Sequence, residues 1–122
     1  DLADQTLITY PVDRDRLDVF TQFLDPAGVD PASIRNAELT PMMVQLVASG
    51  RGVACLPNWA LTEYLANELL TAKRLSENGL WGRLYAAVRR EQLEDPFMQE
   101  FLSTAISTCF NHLAGIKRIE AL

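Results

Sequence analysis

The stretch Leu46-Val47-Ala48-Ser49-Gly50-Arg51-Gly52-Val53-Ala54-Cys55-Leu56-Pro57 changes from a helical period to a strand run within a dozen residues. Leu46 and Val47 fall three and four residues after Met43, the spacing of one buried helix face. Gly50 ends that helix, because glycine enters the left-handed region without a Cβ penalty. Gly52 to Leu56 is a short continuous apolar run, which predicts a central strand buried on both faces. Pro57 has no N–H to give to a ladder and closes the run.

Working outward, the same alternation repeats. Thr40-Pro41 predicts a helix start, with Thr40 as the cap and Pro41 at the first helical position. Ser33 to Glu38 reads as a weaker strand. Before it, Asp13 is placed to cap a helix in which Leu17, Phe20 and Leu24 share a face that Val19 and Phe23 widen. Asp25-Pro26-Ala27-Gly28 is its stop. Leu7-Ile8-Thr9-Tyr10 is β-branched and aromatic, and predicts a strand ended by Pro11. Downstream, Asn58 is placed to cap a short helix carrying Trp59, Leu61, Tyr64 and Leu65. The order β-α-β-α-β-α with short connections implies right-handed crossovers and a parallel sheet.

The later part reads differently. Leu69 to Leu75 is expected to be a strand. Asn78-Gly79 is a turn signal. Leu80 to Arg89 alternates apolar and polar positions, the pattern of a strand with one solvated face. Asp95-Pro96 opens a long helix running to about Leu113, with Met98, Phe101, Leu102, Ala105, Cys109 and Leu113 as its stripe. The expected architecture is α/β: a mostly parallel five-strand sheet with crossover helices and a long C-terminal helix. That helix has more apolar face than the sheet needs, which marks it for an interface.

Composition narrows the function. The chain has 122 residues, 48% of them hydrophobic, and a net charge of −5. That is one ordinary globular domain at most, too apolar for a disordered chain. No apolar run approaches the roughly 18 residues of a membrane span. The chain opens on Asp1 with no secretory leader, so a trimmed piece of a cytoplasmic protein is expected. Eleven Lys and Arg face sixteen Asp and Glu. Arg89-Arg90 is followed by Glu91, Glu94 and Asp95, and no basic face suited to nucleic-acid phosphates emerges. Cys55 and Cys109 each lie in an apolar stretch without a CxxC partner or a neighbouring His. Reduced core thiols are expected, with no metal and no cofactor.

No catalytic motif is present. Gly50-Arg51-Gly52 lies between a helix and a strand, whereas a dinucleotide fingerprint needs the reverse order. His112, the single histidine, sits near a helix C-terminus, where a structural role is expected. Glu91, Glu94 and Asp95 read as solvation and capping. The chain is not expected to be an enzyme. Three places remain: Tyr10-Pro11, Thr40-Pro41 and Pro57-Asn58 all fall at or just before helix starts, two of them ending parallel strands. In open α/β sheets ligands bind outside the carboxyl ends of strands, where helix N-termini present unpaired N–H groups suited to a carboxylate. Met42 and Trp59 are placed to line an apolar part. Plain capping by Thr40 and Asn58 is the simpler alternative.

The helix–Gly–strand–Pro stretch at 46–57 resembles a signature of LysR-type transcriptional regulators, in the second lobe of their effector-binding domain. The similarity extends to Thr6-Leu7-Ile8-Thr9-Tyr10-Pro11-Val12, Arg16-Leu17-Asp18-Val19-Phe20, Pro26-Ala27-Gly28-Val29, Leu56-Pro57-Asn58-Trp59 and Gly79-Leu80-Trp81 with Leu84-Tyr85-Ala86-Ala87-Val88-Arg89. Together these are most similar to the members that regulate methionine biosynthesis. The resemblance implies a lobe similar to type II periplasmic binding proteins over 1–90, with a C-terminal helix and tail over 91–122 returning to a first lobe. It implies a non-catalytic sensor for a small effector, homocysteine, bound near Tyr10, Pro11, Thr40, Pro41, Met42, Pro57, Asn58 and Trp59. It also implies a homo-oligomer that meets DNA only through an N-terminal helix-turn-helix not contained here. A solute-binding lobe of the same fold for a small amino acid is the alternative, and an enzyme on that fold is a third.

Overall fold

A computed structural model describes residues 1–119. The chain divides into two compact units, one of residues 1–57 and 63–81, the other of residues 58–62 and 82–122.

The first unit is built on a parallel three-stranded sheet in the order β2-β1-β3, with β1 Thr6–Thr9, β2 Ser33–Asn36 and β3 Val53–Ala54. Leu7 and Ile8 are 1% and 0% exposed, and alternate side chains of a strand leave on opposite faces. Leu7 therefore joins Val19, Phe20 and Leu24, while Ile8 joins Ala37 and Met43. The central strand is thus β1, and β3 lies at an edge. The expectation that Gly52 to Leu56 forms the centre is corrected: its residues are only half-buried, and its pairing is confined to Leu7↔Val53 and Ile8↔Ala54. A continuous apolar run fits both an interior strand and an edge strand packed under side chains, so the run alone did not separate them.

Between β1 and β2 the expected single helix is three pieces. A 3-10 turn covers Arg14–Arg16, a π-helical stretch covers Val19–Leu24, and α1 covers Asp25–Ala27. Asp13 precedes the 3-10 turn and makes no side-chain capping bond. The buried positions Val19, Phe20 and Leu24 are those expected, and Leu17 and Phe23 pack at the margin. Gly28 ends the segment in the left-handed conformation (φ +63°), as its sequence predicts. Arg14 holds these pieces together. Its guanidinium donates to Asp25 and, at 2.7 Å, to Asp30, and stacks 4.2 Å from the Phe20 ring centroid. The hydrogen bonds to Asp25, then Asp30, raise its already high pKa further.

Helix α2 spans Thr40–Ala48 and buries Met43 and Val44, with Leu46 and Val47 at the edge of the core. Its first turn starts one residue earlier than expected. Leu39, extended at φ −118° and ψ 134°, is the N-cap; Thr40 is the first helical residue and caps nothing. Helix α3, Thr62–Ala66, follows a 3-10 turn at Asn58–Leu61.

The expected five strands are therefore three. Leu69 to Leu75 is irregular, although Leu75 packs on the Leu7 cluster. Leu80 to Arg89 also pairs with nothing as a strand, and Trp81, Leu84 and Tyr85 are 54%, 61% and 75% exposed. Alternation prepares a segment for a ladder, but the ladder needs a neighbouring edge to take its N–H and C=O groups. Among the described residues no strand pairs with this segment.

In the second unit, α4 runs Pro96–His112 after Asp95, as the sequence predicts. Met98, Leu102, Ala105, Cys109 and Leu113 are half-buried; Phe101, assigned to the same stripe, is instead 58% exposed beside Phe97 at 78%. His112 Nδ1 lies 3.1 Å from the Thr108 carbonyl oxygen, one turn back along the helix.

Gly52 is the tightest point of the sheet. A Cβ there would lie 2.4 Å from the Thr6 carbonyl oxygen and 3.3 Å from the Ile8 side chain. Gly52→Ala is therefore expected to force β3 away from β1 and lower stability by about 1–3 kcal/mol, the usual cost of overpacking. Urea unfolding of the variant beside the wild type measures it.

Candidate functional site

The carboxyl end of β1 and the first turn of α2 meet side chain to side chain. Tyr10, directly after β1, places its hydroxyl 2.5 Å from Thr40 Oγ1. Tyr10 also packs on the cluster of Ile8, Ala37 and Met43, so its ring is anchored while its hydroxyl reaches out. One residue earlier, Thr9, 5% exposed, donates its hydroxyl to Asn36 Oδ1 at 3.1 Å. The strand ends are thus tied by polar bonds on the side where the helix begins.

The expected reading of Thr40 as a plain cap does not hold, since its hydroxyl is engaged by Tyr10 instead of a backbone N–H. Two hydroxyls bonded to each other use one O–H between them and leave the other free to donate outward. The first helical N–H groups, those of Thr40 and Met42, precede the hydrogen-bonded ladder, which Met43 N–H begins by donating to Leu39 O at 3.1 Å. Pro41 contributes no N–H. This corner therefore offers donors and a helix-dipole end, a combination that suits an anion. Met42 is 55% exposed and Leu39 63% exposed beside it, giving the corner an apolar rim. Pro11 and Pro41 are exposed as well.

Pro57 ends the segment after β3 and is exposed. Asn58 and Trp59 open the second unit's 3-10 turn, where Trp59 N–H donates to Asn58 Oδ1 at 3.0 Å. The expected helix cap is corrected: Asn58 is the first residue of the turn, and its side chain takes the N–H of the next residue instead of one two or three positions on. Its amide nitrogen lies against Gly115, a contact that nothing in the sequence announced. Trp59 is half-buried, and its carbonyl accepts from the Thr62 hydroxyl at 3.2 Å.

Both cysteines are free thiols, and burial pushes the Cys55 thiol up to about 11. Among the described residues no group of three His, Cys, Asp or Glu converges as a metal site. No helix is long and apolar enough to cross a membrane.

The chain belongs to the LysR substrate binding domain family, whose model matches residues 1–109. The fold is accordingly the type II periplasmic-binding-protein-like α/β fold, and the chain is an effector-binding domain segment related to MetR. It is 42% identical over 120 residues to the HTH-type transcriptional regulator MetR of Escherichia coli K12, covering 98% of this chain and 37% of that protein. It is 40% identical over 116 residues to the MetR of Haemophilus influenzae, again over 37% of its length. Among solved structures, the regulatory domain of MetR, a LysR family regulator from N. meningitidis, superposes with a TM-score of 0.83 at 36% identity, covering 98% of this chain and 55% of that one. The chain thus spans little more than a third of the curated relatives it matches. Those relatives are named as transcriptional regulators.

At pH 8 a thiol with a pKa of about 11 is ionised about 100-fold less than one at the ordinary value of 9.0. Cys55 is therefore expected to alkylate about 100-fold more slowly in the folded protein than after unfolding. Mass spectrometry of iodoacetamide time courses with and without urea reads this directly.

Proposed function

We propose that this chain is the effector-sensing lobe of a LysR-type regulator of methionine biosynthesis, and that its ligand is homocysteine. The hydrogen bond between Tyr10 and Thr40 at the start of α2 carries the reading. It holds a hydroxyl donor beside free helical N–H groups, and an amino-acid carboxylate is an acceptor with no proton to give. Met42 supplies a polarizable apolar wall for a thiol-bearing side chain. Pro11 and Pro41 belong to the same corner, and Pro57, Asn58 and Trp59 are proposed as effector-binding residues in their own right. No metal or cofactor is called for.

The regulator identity of the relatives favours a sensor over the solute-binding alternative, and it favours a cytoplasmic protein without catalysis. DNA contact belongs to a helix-turn-helix outside this chain. The exposed Phe97 and Phe101 of α4, with Leu84 and Tyr85, are the surface that residues 91–122 and their approach carry back to the first lobe. The regulator acts as a homo-oligomer, and homocysteine shifts its arrangement by binding one state more tightly than the other.

In the intact regulator, Thr40→Ala is expected to weaken the homocysteine response about tenfold, with operator affinity in the absence of effector unchanged. Tyr10→Phe, which removes only the partner hydroxyl, is expected to act in the same direction and less strongly. Operator-binding titrations across homocysteine concentrations measure both. An unchanged response from correctly folded Thr40→Ala removes Thr40 from the site.

A further inference from the structure

After α4, the chain turns at Ala114-Gly115 and runs on to Ile119, with Arg118 stacking back over the Phe110 ring at 4.5 Å. Gly115 sits at φ +74°, in the left-handed region. The direction in which any other residue would project its Cβ is filled by one side chain, that of Asn58. An added Cβ would lie 2.1 Å from Asn58 Nδ2 and 2.9 Å from both Cγ and Oδ1.

The Asn58 amide is thus fixed at both ends. Its Oδ1 accepts the Trp59 N–H at 3.0 Å, while its Nδ2 rests against a backbone position that only glycine leaves open. Nδ2 has two N–H donors and makes no hydrogen bond among the described residues. A carbon at Gly115 meets the far end of a short side chain with two rotatable bonds. The amide gives way before the backbone does, and turning it breaks the bond to Trp59 and redirects the Nδ2 donors.

We infer that Gly115 is a positioning residue: it keeps the Asn58 amide aimed, and through Asn58 it sets the affinity for the effector without touching it. The affinity part rests on the effector reading of Asn58 given above; the positioning part does not.

The test uses the intact regulator with three variants, Gly115→Ala, Asn58→Ala and the double variant, each checked by thermal unfolding. The first readout needs no ligand. In Gly115→Ala the Asn58 side-chain amide resonances and the Trp59 backbone amide are expected to shift together, and unmoved resonances overturn the inference. The second readout is calorimetric titration with L-homocysteine. Asn58→Ala and Gly115→Ala are each expected to weaken binding about tenfold, with the double variant no weaker than Asn58→Ala. Additive losses overturn the inference, because Gly115 then acts by another route. Native affinity in Gly115→Ala, where Asn58→Ala is weakened, overturns it too. If Asn58→Ala itself binds normally, the effector reading of Asn58 fails and the affinity claim with it, while the resonance shifts still decide the positioning claim.

Discussion

Everything in the first unit depends on a four-residue strand being buried on both faces. Leu7 and Ile8 point in opposite directions from β1, and each is the middle of its own apolar cluster. The π-helical stretch around Phe20 must pack on one side and α2 with Met43 on the other. With β1 held this way, the residue that follows it has little freedom. Tyr10 leaves the sheet with its ring on the Ile8 cluster, and its hydroxyl meets the first residue of α2. The candidate site is a consequence of that sandwich.

The strand order has a second consequence. With β1 central, β2 and β3 are edges, and they differ in how they are held. β2 is exposed at every position yet pairs over four residues, reinforced by Thr6–Ser33 and Thr9–Asn36 side-chain bonds. β3 pairs over two residues but presses close enough to β1 that position 52 has no room for a Cβ. Polar bonding secures one edge and backbone proximity the other. Across the exposed segment before β2, Arg14 draws Asp25 and Asp30 together. Such a surface pair is screened by solvent, so its contribution is geometric order more than stability.

Local rules were legible where a residue type forces a conformation. Thr40-Pro41, Gly28 and Asp95-Pro96 marked helix limits to within a residue, because Pro and Gly restrict the backbone whatever surrounds them; β3 stops at Ala54, well short of Pro57. The helical core positions Phe20, Leu24 and Met43 followed from period alone. Sheet membership was not legible. Leu80 to Arg89 alternates correctly, but pairing is a property of two segments. Nor did the run at 52–56 reveal that it would be an edge. The candidate site divides along the same line. That Tyr10, Thr40 and Asn58 stand at strand ends and helix starts could be read; that Thr40 bonds Tyr10 instead of capping its helix, and that Asn58 lies against Gly115, are contacts across thirty and fifty-seven positions that no spacing encodes.

A small amino acid sensed at this lobe, as proposed, would bind within reach of a tryptophan. Trp59 adjoins Asn58 and reports on that place, whereas the Trp81 indole donates to Asn78 O at 3.0 Å. The most direct measurement is tryptophan fluorescence of the intact two-lobe domain carrying Trp81→Phe, titrated with homocysteine, methionine and cysteine. A saturable change with homocysteine alone is the predicted result. No change with any of the three in a folded sample, or an equal change with all of them, would contradict it.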